Sequence, residues 1–294
     1  KVHRGLIVNS NGLERHVLVR TFSEDLIEAG LGERLEAATK VAALLAGQRG
    51  FGHGYRMEST RPPHVACDYI PGRSLAQLIE KTKHEQIPLG VDHALSVLQG
   101  VAQAILQLHG KGLSHGMLSP HSVWVSFEGA TNLLDAPYAA QIHPLLNRAP
   151  LASAALKPYR PTTQVSPLHQ DLYALGALLY ELLTLEKLPA STHLAEALGK
   201  ATLKAAQDDG PIPSEILDLL KRLLLLDRPF ESPSAFNGEL ERVLYDGDYS
   251  PTTFNMAFFM HTLFREENEQ DNQAMKADQA ADFTPFLQEE PTKR

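Results

Sequence analysis

Residues 105–125 read ILQLHGKGLSHGMLSPHSVWV, in which apolar residues at helical spacing give way to a polar stretch and then a short apolar run. Leu98, Ile105 and Leu108 recur at helical spacing and predict a helix that Gly110 ends. A polar loop follows, and the apolar run Val123-Trp124-Val125 is typical of a short strand. The pattern predicts a helix, a polar loop and a strand in close succession.

Upstream, residues 1–70 alternate short strands with one helix. The turn-like residues 9–12 separate the apolar runs 6–8 and 17–19, which predicts a hairpin. Leu31, Leu35 and Leu45 predict a helix that Gly47 stops, and residues 64–70 predict another strand. Downstream, helices dominate: residues 171–184 read DLYALGALLYELLT, a helix that is apolar nearly all round and therefore buried. Residues 136–170 contain several prolines and little periodicity, so we predict a long loop there.

This order of motifs resembles a protein kinase domain, most closely the bacterial serine/threonine branch. Residues 105–125 look like the kinase helix and catalytic loop, whose signature is H-R-D-L-x-x-x-N. The segment NLLDAP at 132–137 resembles the metal-binding loop, DYIPGRSL at 68–75 the hinge, and 171–184 the following buried helix. The resemblance implies an α+β, bilobal fold with a C-terminal helical extension. We expect a small β-rich lobe at 1–70, a larger helical lobe at 71–245 and an extension at 246–294, a helix followed by an acidic tail.

The resemblance also shows where this sequence lacks kinase chemistry. The catalytic Asp position is Met117, the Lys position is Ser119 and the magnesium-binding Asn position is Ser122. A thioether cannot accept a proton, and loss of a general base costs about 10²–10⁴ in rate. We therefore predict no catalytic residue in this loop. His115 matches the family His, and Asp171 matches the buried Asp that ties the loop backbone.

Two charged positions could serve a nucleotide or a metal. Arg20 occupies the position of the strand Lys, with Glu33 or Glu36 as helix partners, although the spacing favours Ala37 in that place. Asp135 is retained in the metal-binding loop, where it could ligate Mg²⁺ or simply cap a turn. Only Gly5 and Gly12 precede the third strand, and the chain starts at Lys1. We therefore expect a piece of a longer protein, cut at the glycine-rich loop.

The nucleotide cleft is predicted to be filled. Leu18 and Trp124 replace smaller family residues above and below the adenine, so close packing excludes the purine unless the lobes separate or Trp124 rotates outward. Cys67 falls in the gatekeeper position, and Asp68 and Ile70 would supply the hinge backbone. The nucleotide-binding candidates implied by the resemblance are thus Arg20, Asp68, Ile70 and Asp135.

The C-terminal part concentrates apolar residues before a polar, acidic stretch from residue 265 onward. Phe254, Phe258, Phe259 and Leu263 predict a helix that either covers this same chain or binds a partner. The acidic stretch is interpreted as a solvated tail.

Composition excludes several classes of function. The chain has 294 residues and a net charge of −8 without a cationic block, which argues against nucleic-acid binding. The single Cys67 excludes an internal disulfide framework, and the His spacing does not indicate zinc. No apolar run approaches the roughly 20 residues that span a bilayer, so we predict no membrane contact in this fragment.

We expect a pseudokinase: a cytoplasmic, kinase-shaped signalling scaffold without cofactors that binds a protein, such as an active kinase or a second copy. The alternative is an unconventional phosphotransferase or ATP sensor of kinase fold, with ATP and Mg²⁺ held by Arg20 and Asp135.

Overall fold

The small lobe is built on one antiparallel sheet. The computed structural model describes residues 1–59, 62–189, 193–204, 210–247 and 249–286. The strands are β1 (Val2–Asn9), β2 (Gly12–Thr21), β3 (Arg56–Glu58) and β4 (His64–Asp68), in the order β1-β2-β4-β3. The predicted hairpin is confirmed: Asn9 pairs with Gly12, and Gly12 has a φ of 104°, which suits glycine.

Two helices cover this sheet, α1 (Glu24–Glu28) and α2 (Leu31–Leu45). Leu31, Leu35 and Leu45 of α2 are fully buried, as their helical spacing predicts. Glu33, Glu36 and Ala37 lie on the exposed side of the same helix. The charged face of α2 therefore points away from the core of the lobe.

A second, three-stranded sheet links the lobes. It has the order β5-β6-β7, with β5 (Gly72–Ser74), β6 (Val123–Ser126) and β7 (Thr131–Leu133). Helix α3 (Leu75–Glu85) starts in a capping box formed by Ser74 and Gln77, and α4 (Val91–Gly110) follows. The predicted succession of helix, polar loop and strand is therefore present.

The prediction of a long loop at 136–170 is wrong. The segment forms α5 (Ala136–Ile142), a 3-10 helix (His143–Arg148), α6 (Pro150–Leu156) and a second 3-10 helix (Lys157–Tyr159). Four of its prolines, Pro137, Pro144, Pro150 and Pro158, stand in the first turn of these short helices, where a missing N–H leaves no hydrogen bond unmade. They mark helix starts, and helices this short show little periodicity.

The large lobe packs around α7 (Pro167–Thr184), which is buried from Asp171 to Thr184. Helices α8 (Leu194–Lys200), α9 (Ser214–Leu223) and α10 (Pro233–Asp246) surround it. Gly176 permits the close approach of α9, because a Cβ there would lie 2.8 Å from the Cβ of Leu223. Among the described residues, no helix is both long enough and apolar enough to cross a membrane.

The chain ends in two helices, α11 (Thr253–Leu263) and α12 (Arg265–Ala280). Met256, Phe259, Met260 and Leu263 of α11 are buried, and the helix packs on α3 and α4 of the same chain. The acidic stretch, predicted to be a solvated tail, is helical as far as residue 280, and none of these helical residues is buried. Three of its acidic side chains pair with basic groups of both lobes.

Candidate functional site

The loop after α4 is held in shape by a buried carboxylate. Asp171, at 0% exposure, accepts hydrogen bonds from the backbone N–H groups of His115, at 2.9 Å, and Gly116, at 2.7 Å. Its Oδ2 also lies 2.9 Å from Nε2 of His109, at the end of α4. Gly116 has a φ of 75°, a conformation that suits glycine. Asp171 thus ties the loop to α7 and to α4.

The loop offers no proton acceptor at the position where a kinase has its Asp. Met117 is half-buried and packs against a cluster that includes Leu35 and Val65. Ser122 donates its hydroxyl to the carbonyl of Met117 at 3.2 Å, and its Oγ lies 3.4 Å from that of Ser119. The side chains of Met117, Ser119 and Ser122 therefore serve packing and local hydrogen bonding.

Asp135 is engaged by histidine. The carboxylate is buried, and its Oδ1 lies 2.8 Å from Nε2 of the fully buried His115. Asp135 stands at the N-terminus of α5, but its side chain makes no capping hydrogen bond; its backbone carbonyl accepts from Tyr138 and Ala139 instead. The capping interpretation is therefore wrong, and the carboxylate belongs to a buried pair.

The contact between Asp135 and His115 lowers the pKa of the aspartate and raises the pKa of the histidine. Burial alone would raise the pKa of Asp135, but the charges of His115 and Arg20 and the hydrogen bond with His115 bring it to about 2. Burial alone would lower the pKa of His115, but the Asp135 carboxylate outweighs it and raises that pKa. The charges stabilise one another inside the protein.

Arg20 reaches the loop but finds no acidic partner on α2. Its Nη2 donates to the carbonyl of His121 at 2.7 Å. Its Nε is buried without a hydrogen-bond partner among the described residues. Glu33 and Glu36 are exposed on α2, and neither forms an ion pair with Arg20 within the described ranges. The strand-to-helix ion pair considered from the sequence is therefore absent from this part of the molecule.

The space between the lobes holds a group that we call the cleft cluster: Leu18, Cys67, Trp124 and Leu134. All four side chains are buried, Trp124 at 6% exposure. Leu18 and Cys67 face each other across β2 and β4, and Trp124 approaches from β6. Burial raises the pKa of the Cys67 thiol to about 12, so it is protonated at neutral pH.

The hinge, residues 68–71, has its polar groups engaged inside the chain. The indole Nε1 of Trp124 donates to the carbonyl of Ile70 at 3.1 Å, and the amide of Asp68 donates to the carbonyl of His53 at 2.8 Å. The Asp68 carboxylate accepts from Nη1 of Arg15 at 2.7 Å. A Cβ on Gly72 would lie 2.9 Å from Trp124 Nε1, so glycine makes room for the indole. The amide and carboxylate of Asp68 and the carbonyl of Ile70, two residues predicted to serve a nucleotide, are thus engaged by protein groups.

Two tyrosines complete the region between the lobes, and the sequence analysis missed both. Tyr138 of α5 is buried and meets Phe22 edge to face, with ring centroids 5.7 Å apart. Tyr55 donates its hydroxyl to the carbonyl of Leu134 at 2.9 Å. Burial raises the pKa of both phenols, which stay neutral. The apolar spacing of Tyr138, Ile142 and Leu145 is the signal that predicts this buried helical face.

Two of the four residues predicted to contact a partner, Phe259 and Leu263, are instead buried within this chain. Phe259 and Leu263 of α11 are buried against this chain, at 5% and 3% exposure, and cannot contact a partner while α11 is docked. Phe254 and Phe258 remain exposed. The four aromatic and aliphatic positions therefore divide between an inner and an outer face of one helix.

The cleft cluster and the buried pair lie where the sequence predicted candidate groups for a nucleotide or a metal. Side chains fill the space between Leu18 and Trp124, and the Asp135 carboxylate is paired with His115. Within the described ranges there is no group of three or more His, Cys, Asp or Glu side chains able to hold a metal ion.

Comparison with known proteins relates the chain to kinases. No protein-family model matches it. Over 128 residues it is 31% identical to a probable inactive receptor kinase of Arabidopsis thaliana, covering 41% of this chain and 12% of that protein. Over 257 residues it is 26% identical to the serine/threonine-protein kinase pkn3 of Myxococcus xanthus, covering 78% and 44%. It is 25% identical over 128 residues to serine/threonine-protein kinase PknB of Mycobacterium tuberculosis, covering 42% and 20%.

Among solved structures, the apo form of PpkA-294 superposes with a TM-score of 0.59 at 18% identity, covering 80% of this chain and 94% of that one. The α+β fold with an N-terminal antiparallel sheet and a larger helical part is therefore confirmed as kinase-like. The sequence is similar to serine/threonine kinases of the protein kinase superfamily. The chain spans less than half the length of the curated relatives that it matches.

Proposed function

We propose that this chain is a pseudokinase, a kinase-shaped domain that regulates or scaffolds other proteins without transferring phosphate. The observation that carries the proposal is the hydrogen bond from Trp124 to the Ile70 carbonyl inside the buried cleft cluster. The indole occupies a hinge acceptor and, with Leu18, the volume that a purine would need. Close-packed side chains do not give up such a volume without a cost of several kcal/mol.

The chemistry of the loop supports the same proposal. Phosphoryl transfer requires a group that orients the nucleophile and carboxylates that hold metal ions against the phosphates. Met117 lacks a proton acceptor, and the carboxylate of Asp135 already forms a 2.8 Å contact with His115. The contacts of Asp171, by contrast, keep the loop in shape. The loop therefore keeps the contacts that fix its shape but lacks the groups that phosphoryl transfer requires.

A thermal-shift titration with ATP and Mg²⁺ or Mn²⁺ tests the proposal. A ligand at 100 times its Kd would stabilise the native state by about 2.7 kcal/mol and raise the melting temperature. Because we propose that ATP does not bind, we expect no shift in melting temperature at millimolar ATP. A paired assay with γ-labelled ATP should give no transfer to the chain or to a generic protein substrate. Turnover that disappears in Asp135→Ala would overturn the proposal.

One observation favours the alternative, an ATP sensor or unconventional phosphotransferase. Arg20 carries a buried Nε without a hydrogen-bond partner among the described residues, close enough to Asp135 to lower the pKa of that carboxyl. An incoming phosphate could satisfy this group if the lobes opened. A thermal shift without transfer identifies a sensor, and a shift with transfer identifies an enzyme.

The proposed ligand is another protein, an active kinase or a second copy of this chain. Phe254 and Phe258 lie one helical turn apart on α11 and are 77% and 70% exposed, and such an aromatic pair is common in protein contacts. Sedimentation of the full chain at increasing concentration distinguishes the two partners. Self-association that Phe254→Ser and Phe258→Ser abolish together supports the second copy, and a monomer at all concentrations contradicts it.

A further inference from the structure

Helix α12 crosses from the large lobe to the small lobe. It follows directly from α11, whose buried residues Phe259 and Leu263 fix the starting point on the large lobe. Its half-buried positions include Glu267, Asp271 and Asp278, which are four and seven residues apart and lie on one face. At 1.5 Å per residue, these acids span about 16 Å along the helix axis.

Each acid on this face meets a basic group on a different part of the molecule. Glu267 pairs with Lys81 of α3 in the large lobe. Asp271 accepts from Nη1 of Arg73, directly after the hinge, at 2.7 Å, and lies 3.5 Å from the hydroxyl of Tyr69 in the hinge. The three contacts place the first half of α12 along the outer side of the hinge.

The second half of α12 reaches the sheet of the small lobe. Oδ2 of Asp278 lies 3.1 Å from Nη2 of Arg4 in β1 and 3.2 Å from Nε2 of His16 in β2. Arg4 also donates to the backbone carbonyl of Asp271, at 3.4 Å. One helix is therefore tied to α3, the hinge region and two strands by three ion pairs between described residues and by the contact of Asp278 with His16.

These contacts are electrostatic rather than hydrophobic. No residue of α12 is buried, so the helix has no apolar anchor of its own. An isolated helix of about 16 residues is marginal in water, so the docked helix depends on its contacts with the lobes. Partly exposed ion pairs weaken as salt rises, because the Debye length falls from about 10 Å at 0.1 M to about 3 Å at 1 M.

We propose that α12 is an electrostatic clamp that fixes the angle between the two lobes and that releases them when its acidic face is displaced from Arg4, His16, Arg73 and Lys81. The clamp closes on the hinge from outside, whereas the cleft cluster fills the interior. It is a separate device, and it does not depend on whether the cleft binds nucleotide.

The test measures the distance between the lobes in the full chain. Nitroxide labels replace Asn11, in the β1–β2 turn, and Tyr245, near the end of α10; both positions are exposed. The thiol of Cys67 is buried and stays unlabelled. In the double variant Asp271→Asn/Asp278→Asn, we expect the distance distribution to broaden roughly twofold, since the released lobes sample more than one angle.

The matched control is Glu266→Gln/Glu269→Gln, which removes the same charge from the exposed side of the same helix. Neither glutamate side chain forms an ion pair or a hydrogen bond with the described part of the chain, so the distribution should stay narrow. Hydrogen exchange of residues 265–280 reports undocking, and we expect it to accelerate roughly tenfold in the Asp271/Asp278 variant only.

Two further measurements test the clamp without the Asp271→Asn/Asp278→Asn variant, in case that variant folds poorly. The unmodified chain should show the same broadening between about 0.1 M and about 1 M NaCl. The charge-swapped pair Arg4→Asp/Asp278→Arg should restore the narrow distribution that Asp278→Arg alone loses. The proposal fails if the amides of α12 exchange faster in the variant while the distance distribution between the labels stays narrow. It also fails if high salt changes neither the amide exchange of α12 nor that distance distribution.

Discussion

At the scale of single residues, Trp124 has two separable roles. Its ring fills the cleft cluster, and its Nε1 satisfies the Ile70 carbonyl. We expect Trp124→Ala to reduce the free energy of unfolding by about 3–5 kcal/mol, since it leaves a cavity. Trp124→Phe keeps most of the volume and loses the hydrogen bond, which costs about 1 kcal/mol. Urea unfolding followed by circular dichroism measures both, and equal losses in the two variants would contradict this division.

The buried pair of Asp135 and His115 predicts a pH dependence with two limbs. The pKa of Asp135 is about 2 in the folded protein against an ordinary 3.8, so its contribution is present above pH 3.8 and is lost as the pH falls towards 2. This difference corresponds to about 2 kcal/mol. The pKa of His115 is raised above its ordinary 6.5, so its contribution is present below pH 6.5 and is lost as the pH rises through the folded pKa.

Asp135→Asn should therefore flatten both limbs of the stability–pH curve, in addition to lowering stability throughout, because it leaves His115 buried without its partner. Urea midpoints measured from about pH 2 into the alkaline range test this. Asp246→Asn, which changes an exposed carboxyl in α10, is the control and should leave the curve unchanged. An unchanged acid limb in Asp135→Asn would show that the pair does not stabilise the fold.

At this scale, the sequence predicts which catalytic positions lack their usual residue, but it does not predict which contacts the neighbouring residues make. Met117 in the base position follows from one aligned motif. The partner of Asp135 does not, because a carboxylate can ligate, cap or pair, and only the position of the His115 ring decides among them.

At the scale of elements, α11 offers a matched pair of aromatic residues. Phe259 is 5% exposed and Phe258 is 70% exposed, although they are neighbours in the chain. We expect Phe259→Ala to cost about 3–5 kcal/mol and to loosen α11 from α3 and α4. Phe258→Ala should stay within about 0.5 kcal/mol. Chemical unfolding monitored at one pH is sufficient, and similar losses for the two variants would refute the docked orientation of α11.

Helices with an apolar stripe were predictable, and short or polar helices were not. The spacing of Leu31, Leu35 and Leu45 gives α2 directly. The prolines of the segment containing α5 and α6 predict a loop, but Pro137 and Pro150 stand at helix starts instead. Helix α12 has no apolar stripe, and its stability comes from basic residues more than 180 positions away in sequence.

At the scale of the whole molecule, we predict that the two lobes unfold together. Helix α5 packs on α2 of the small lobe, and Tyr138 and the cleft cluster fill the interface between the lobes. Trp124 is the only tryptophan and lies at this interface, so its fluorescence reports the contact between the lobes. We expect its urea transition to coincide with the loss of helical circular dichroism, as in a two-state unit.

Tyr138→Ala should separate the two transitions, with the fluorescence changing at lower urea, because the variant empties the contact between α5 and the sheet. Leu151→Ala, which changes an exposed side chain of α6, is the control and should keep them coincident. If the two probes already separate in the unmodified chain, the lobes are independent units and this prediction is wrong.

The engaged Ile70 carbonyl has a practical consequence for chemical tools. A flat heterocycle that hydrogen-bonds to this carbonyl would compete with an indole of the protein itself, whose Nε1 lies 3.1 Å from it. We expect compounds that need this acceptor to bind weakly, because they must first displace a buried side chain.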